Sequence, residues 1–262
     1  MGESGLQIQK DGAIGWLTFS NPAKLNAMTF AMWQGLPAAI AAFEADPAIR
    51  VVVLRGAGTK AFVSGADISE FEEKRGTADA VEAYNAAGDA ASAAIEACGK
   101  PTLAMIHGYC IGGGLGLALT CDLRFADEDA SFAIPAAKLG LGYRYDGIER
   151  LVRVVGPSHA KDIFYSARRL AVAEARAMGL VNAILPAAEL EREVRAYCDR
   201  IARNAPLTIA AAKSAIDAAV APPDAGRRAA VDRAVAACFA SEDYREGRLA
   251  FREKRAPRFQ GR

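Results

Sequence analysis

One run constrains the fold of this chain more than any other. An apolar, partly β-branched segment (Thr102 to Ile106) passes through His107-Gly108-Tyr109-Cys110-Ile111-Gly112-Gly113-Gly114 into the Ala/Leu-rich run Leu115 to Leu119. The pattern predicts a strand, a turn and a helix N-terminus with glycines at the junction. Glycine permits tight backbone geometry and lets a ligand atom approach a peptide N–H that a Cβ would shield. The first N–H groups of a helix have no internal partner, so the junction suits negative charge. Spacing excludes several other glycine-rich devices. A G-x-G-x-x-G fingerprint fails because its third glycine falls on Leu117 or Leu119, and no G-x-x-x-x-G-K-[ST] occurs. A G-x-S-x-G elbow at Ser64 fails because Phe62 stands where the leading glycine belongs. From the glycines alone, close packing of a helix on a sheet is the competing reading.

The chain of 262 residues is long enough for one large domain or a domain with a helical appendage, and 52% hydrophobic content supplies a core. With 32 Lys+Arg against 31 Asp+Glu, nothing global favours nucleic acid or an anionic membrane. The cysteines at 98, 110, 121, 198 and 238 share no C-x-x-C spacing and fit reduced core thiols, so a reducing, cytoplasmic setting is expected. The N-terminal residues carry no basic or apolar leader pattern, and no apolar run is long enough to span a membrane. The two histidines, His107 and His159, stand apart from any Cys/Glu cluster at ligand spacing, so no metal site is expected.

Taken in order, Leu6 to Lys10 and Ile14 to Phe19 alternate around Asp11-Gly12, a hairpin signal. Thr29 is a candidate N-cap for a helix to about Ala45, which Pro37 should kink or break. Val51 to Leu54 reads as a strand buried on both faces. Phe62-Val63 then leads into Ser64-Gly65-Ala66-Asp67, a mobile charged segment (Glu70 to Gly76) and an Ala-rich helix from about Ala78 to Cys98. Strands follow at Thr102 to Ile106, Leu123 to Ala126, Ser131 to Ala133 and Val181 to Leu185. Helices are expected near Gly147 to Val155, from Gly156-Pro157-Ser158, and over Val172 to Met178. Strand, strand, helix repeats along the chain, which implies an α/β winding of stacked turns over 1–190. Residues 191–262 read as helical throughout, broken at Ala205-Pro206 and Pro222-Pro223, and should cap the core or join subunits.

Two segments share one form, a strand running into small residues and a helix: Ser64-Gly65-Ala66-Asp67 and Gly112-Gly113-Gly114. If the repeat stacks them, the N–H groups of Ala66 and Gly113 converge on one oxygen as an oxyanion hole, each donor worth about 2.7 to 4 kcal/mol in a transition state. Two unrelated turns is the alternative. Lys60 to Ile68, His107 to Gly114, Cys121-Asp122-Leu123, and Ser241 to Gly247 with Phe251-Arg252-Glu253-Lys254-Arg255 together resemble the enoyl-CoA hydratase/isomerase (crotonase) superfamily, from about Leu6 to Arg262. The resemblance implies a spiral of ββα turns with a C-terminal helical region and acyl-CoA thioester substrates. It further implies a homotrimer or a homohexamer built as a dimer of trimers, and an oxyanion hole at Ala66 and Gly113. Coenzyme A would arrive as part of the substrate, with no prosthetic group. By motif position Lys24, Lys60, Ser64, Ala66 and Ile68 would meet the CoA, and Phe251 and Lys254 would reach it from a C-terminal helix, often a neighbour's.

The departures from the family pattern are informative. Its hydratases use two glutamates, and at those positions this chain has Gly116 and Ala136. Adding water to a double bond needs a base for the water and an acid for the α-carbon. Decarboxylation of a malonyl-type thioester needs only the oxyanion hole. Leu139-Gly140-Leu141-Gly142-Tyr143 resembles a loop of the methylmalonyl-CoA decarboxylase branch in which a tyrosine faces the substrate carboxylate, although that branch has histidine where Ala66 stands. Arg144 is a candidate for an acyl carboxylate and Asp146 for a general base, against ordinary helix-start roles. The reading is a lyase or decarboxylase first, then an isomerase, then a hydratase with a substitute carboxylate. A CoA-binding scaffold is the competing class. His107 and His159 are expected to be structural, and Asp67 and Asp122 to hold backbone N–H groups of their loops.

Overall fold

A computed structural model describes residues 4–67, 70, 77–221 and 224–262. The hairpin forms as its turn chemistry requires. β1 (Gly5–Asp11) and β2 (Ile14–Ser20) pair antiparallel with Asp11 opposite Ile14, leaving Gly12-Ala13 as a two-residue loop. Gly12 takes φ +57° at the first loop position, where this hairpin class needs a positive value. α1 (Phe30–Ala45) starts at Thr29, whose hydroxyl accepts the N–H of Met32 at 3.2 Å. Of the kink or break expected at Pro37, the break does not occur: α1 continues through it to Ala45. A helix-interior proline costs about 3 kcal/mol, but the buried Met32, Trp33, Leu36, Ile40 and Phe43 each contribute about 1.5 to 3 kcal/mol and hold the helix through it.

From here the chain winds in turns that give one strand to each of two sheets. The first turn is β3 (Val51–Gly56), β4 (Ala61–Val63) and α2 (Ala78–Ala97). The second is β5 (Thr102–Ile106), β6 (Tyr109–Ile111) and α3 (Gly113–Thr120). The third is β7 (Leu123–Asp127), β8 (Ser131–Ala133), a 3-10 turn over Pro135–Leu139 and α4 (Tyr145–Ser166). After β9 (Leu170–Ala171), α5 (Val172–Ala177) and β10 (Ala183–Leu185), the strands form a six-stranded sheet, β1-β2-β3-β5-β7-β10, and a four-stranded sheet, β4-β6-β8-β9. Pairing is parallel throughout except for β1 with β2 and β8 with β9.

β6 corrects the reading of residues 107–114 as a simple turn. Three residues between glycines carry no periodicity, and the strand exists because β4 and β8 flank it. α4 begins two residues before the expected Gly147, and its backbone is non-helical at Gly156 (φ +75°, ψ 166°) ahead of Pro157, so a second helical segment starts there as expected. His159 lies in the first turn of that second segment. α6 (Leu190–Ala202) lays Leu190, Val194 and Cys198 over Trp16, Val53 and Met105 on the outer face of the larger sheet. α7 (Pro206–Val220), α8 (Ala225–Ala240) and α9 (Glu242–Glu253) complete the C-terminal helical region. The break at Ala205-Pro206 is present, and an additional one falls at Ser241, whose hydroxyl caps α9. The Pro222-Pro223 break and most of the charged segment 70–76 lie outside the described residues. Among the described residues no helix is long and apolar enough to cross a membrane.

Candidate active site

The two glycine-rich junctions meet because their strands pair. β4 and β6 run parallel with Ala61 opposite Tyr109 and Val63 opposite Cys110, so the loops that leave them travel side by side. A Cβ built on Gly112 lies 4.0 Å from Gly65 Cα, and one built on Gly65 lies 3.6 Å from Ile111 O. Gly114 explains the closeness: a Cβ there would stand 2.2 Å from Val63 O and 2.8 Å from Val63 Cβ. Only glycine lets the start of α3 lie this tightly on the end of β4.

Each loop then presents one N–H. Ala66 forms a parallel bridge with Met28, in which Met28 donates to Gly65 O at 2.8 Å and accepts from Asp67 N–H at 2.9 Å. In that pattern the bridging residue's own N–H points the other way. Gly113 is the first residue of α3, so its N–H has no partner within the helix and carries the positive end of the helix dipole. Gly112 is set at φ +56°, ψ −117° to make this turn, a conformation open to glycine.

Around these donors the walls are apolar and aromatic. Trp33 Cζ2 lies 3.7 Å from a Cβ built on Gly113. The Trp33 indole N–H donates to the Tyr84 hydroxyl at 3.0 Å, and Phe30 stacks on Tyr84 with ring centroids 5.9 Å apart. The Glu70 carboxylate accepts the Phe30 N–H at 2.8 Å. On α3, Gly116 faces open space, with nothing within 4 Å of where a Cβ would be. Ala136, in the 3-10 turn, is buried. Neither position supplies an acid or a base.

The remaining sequence candidates divide into two groups. Lys24 ends the turn over Pro22–Lys24, Lys60 immediately precedes β4, and Ser64 and Ala66 follow it. Lys24 Nζ reaches both oxygens of Asp67 at 3.0 and 2.8 Å, and Ser64 Oγ donates to Lys24 O at 3.0 Å. The N–H of Tyr109 donates to Lys60 O at 3.2 Å, which fixes that backbone beside β6. Ile68 lies outside the described residues. Phe251 and Lys254 sit apart from this group, at the end of α9. Phe251, 86% exposed, lines a groove with Val235, Phe239 and Tyr244 whose walls are α7, α8 and α9, and no residue of the two loops lines it.

Tyr143 stands half-buried with its ring edge-on to Phe164 at 5.0 Å, and burial pushes its phenol above the ordinary value. Arg144 pairs with Asp89 on α2 at 2.5 Å, and Asp146 is exposed in the first turn of α4. His107 is structural in its contacts: Nδ1 lies 2.8 Å from the buried Asp127 carboxylate, which also accepts the N–H of Gly108. Asp122 accepts the N–H of Thr102 across the turn at 2.7 Å and the Lys213 ammonium at 3.0 Å. The Asp67 carboxylate meets the side chains of Lys24 and Asn21. Among the described residues no group of three His, Cys, Asp or Glu is placed to hold a metal. Sequence reading missed Trp33, Tyr84, Asn21 and Asn26. Only the asparagines had a local signal, as paired turn formers in Asn21-Pro22-Ala23-Lys24-Leu25-Asn26.

A spiral of strand-strand-helix turns whose glycine-rich loops lie side by side at the ends of parallel strands defines the class as crotonase-like. The chain belongs to the enoyl-CoA hydratase/isomerase family, whose model matches residues 9–262. It is 34% identical to a crotonyl-CoA hydratase of Syntrophomonas wolfei over 99% of both chains. It is 32% identical to a short-chain-enoyl-CoA hydratase of Clostridium acetobutylicum, covering 95% of this chain and 94% of that one. A crystal structure described as an enoyl-CoA hydratase/carnithine racemase from Magnetospirillum magneticum superposes with a TM-score of 0.92 at 36% identity, covering 100% of this chain and 97% of that one.

Proposed function

We propose that the protein is an acyl-CoA enzyme that holds a thioester oxygen between the N–H groups of Ala66 and Gly113 and stabilises it as an enolate. The observation that carries this is the contact of the two loops through Gly65, Gly112 and Gly114, with both N–H groups turned away from the structure that holds them. The CoA portion belongs to the substrate and runs past Lys60, Ser64 and Ile68, with Phe251 and Lys254 supplied by a neighbouring subunit.

The favoured reaction is loss of CO2 from a malonyl-type thioester. The bond from the α-carbon to the carboxylate carbon breaks, its electron pair moves into the thioester as an enolate, and a proton from solvent later fills the α-carbon. No general base is required, which suits a site with Gly116 and Ala136 where the family's hydratases carry glutamates. Tyr143 is a neutral phenol, as tyrosine ordinarily is near pH 7, and burial pushes its pKa further up, so it can donate to the substrate carboxylate. A shift of a double bond is the next reading. Hydration with a substitute carboxylate is supported by the names of the relatives, while Gly116 and Ala136 at the two hydratase positions supply no acidic group for it.

Incubation with methylmalonyl-CoA and with crotonyl-CoA, following CO2 release and the enoyl absorbance, separates these readings. Release of CO2, abolished in Tyr143→Phe, is the expected result. Hydration of crotonyl-CoA alone would overturn the decarboxylase reading, and tight CoA binding without turnover of either would favour the scaffold. The exposed Val235, Phe239, Tyr244 and Phe251 along the C-terminal groove support a homotrimer or homohexamer. Light scattering should give a mass of three or six chains, and Phe239→Glu with Phe251→Glu should reduce it to one.

A further inference from the structure

The Ala66 N–H lies in the peptide plane it shares with the Gly65 carbonyl, and in a planar trans peptide the two groups point in opposite directions. Whatever fixes the Gly65 carbonyl therefore aims the N–H. Gly65 itself takes φ +119°, a conformation with little preference of its own, so the aim must come from outside the loop. It comes from the turn at residues 21–28. There Leu25 and Asn26 both adopt left-handed conformations, at φ 52° and 57°, which a leucine holds only when its surroundings dictate it.

This turn is fastened to the hole at successive points. Ser64 N–H donates to Leu25 O at 3.2 Å, Met28 N–H to Gly65 O at 2.8 Å, and Asp67 N–H to Met28 O at 2.9 Å. Asn26 Nδ2 donates to Ala61 O at 2.7 Å. The last fastening is ionic. The Asp67 carboxylate, only 5% exposed, takes both of its oxygens to Lys24 Nζ at 3.0 and 2.8 Å and also receives Asn21 Nδ2 at 3.4 Å.

Building on the thioester reading, we propose that Asp67 and Lys24 are a positioning pair that aims the Ala66 N–H at the thioester oxygen. This assigns Lys24 to Asp67 and not to the CoA phosphates. Drawing the ammonium away to a phosphate would break its contacts with both oxygens of a buried carboxylate, which is strongly unfavourable. The pair sits one residue from the donor and bridges the two strands of the Met28 to Ala66 bridge. Its loss would relax the donor's direction without removing any group that touches the substrate.

The test uses the full chain with a chromophoric enoyl thioester, 4-(dimethylamino)cinnamoyl-CoA, whose absorption moves to the red when its carbonyl is polarised. Asp67→Asn, Lys24→Met, Lys24→Arg and the double variant Asp67→Asn/Lys24→Met are compared with wild type for affinity, red shift and melting temperature. Asp67→Asn and Lys24→Met should bind within about threefold of wild type yet lose half or more of the red shift, because one misaimed donor is worth about 10²- to 10³-fold in the transition state. The double variant should be no worse than the worse single one, and Lys24→Arg should recover part of the shift. Lys24 is 46% exposed, so Lys24→Met tests the pair even if Asp67→Asn does not fold. A full red shift in both single variants, or losses in affinity alone, would overturn the pair's role and leave the thioester reading standing. Absence of any red shift in wild type would overturn the thioester reading itself.

Discussion

Two glycines in α3 make opposite predictions from the same substitution. In Gly114→Ala the new methyl would stand 2.2 Å from Val63 O and 2.8 Å from Val63 Cβ. An ordinary C···O contact is about 3.3 Å, so β4 and the start of α3 must separate by about 1 Å. The obstacle is backbone and cannot rotate away. Forcing a group into a packed interior costs about 1 to 3 kcal/mol. The same separation lengthens a hydrogen bond of about 2.9 Å to nearly 4 Å, where it no longer counts as one. Loss of one donor then lowers turnover by about 10²- to 10³-fold. In Gly116→Ala nothing lies within 4 Å of the new methyl, and alanine is the better helix former by about 0.8 to 1 kcal/mol, so the variant should be as stable as wild type or more so. Urea unfolding of both variants gives the stabilities, and the red shift of 4-(dimethylamino)cinnamoyl-CoA gives the state of the hole. A Gly114→Ala protein with wild-type midpoint and full red shift would refute the claim that this glycine sets the distance between the loops.

Alkaline stability should be set partly by thiols. Burial pushes Cys98, Cys121 and Cys198 up to about 12 from an ordinary 9.0, so between pH 9 and 12 these groups keep their protons in the fold and lose them when it opens. The unfolded state binds fewer protons there, and stability must fall as pH rises through that window; melting curves from pH 8 to 12 should show the fall, with a shallower slope in Cys198→Ala. In Tyr84→Phe the Trp33 indole N–H loses its acceptor in a nearly dry site, at a cost of about 1 to 3 kcal/mol by urea denaturation. An unchanged midpoint there would mean that water or another group takes the hydroxyl's place.

What could be read from the sequence was local. Asp11-Gly12 announces its hairpin, Thr29 its helix, and the glycines at 112–114 their junction, because each rests on backbone chemistry within a few residues. The ββα winding was legible because it repeats. β6 was not, since a three-residue strand is created by its neighbours. Pro37 misled because tertiary burial outweighs a local breaker. The site's side-chain framework was hidden for a related reason: Lys24 and Asp67 are 43 residues apart and Trp33 and Tyr84 are 51, with no period to link them. Lys24 shows the consequence, since its motif position suggests a phosphate and its observed partner is a carboxylate.

The division between backbone and side chain also decides how far likeness to relatives reaches. The proposed hole consists of two peptide N–H groups that strand register, a glycine contact and a turn bring together, with the Asp67–Lys24 pair refining the aim of one of them. A TM-score of 0.92 at 36% identity shows that this backbone framework is shared. The choice among hydration, decarboxylation and double-bond shift depends instead on a few side chains facing the acyl group, and at two-thirds of its positions the chain differs from the named hydratases. Gly116 leaves open space and Ala136 a small buried methyl where water chemistry would need carboxylates. The scaffold can thus be shared while the reaction diverges, and the residues at 116, 136 and 143 carry more weight for the reaction than the names of proteins that share the fold.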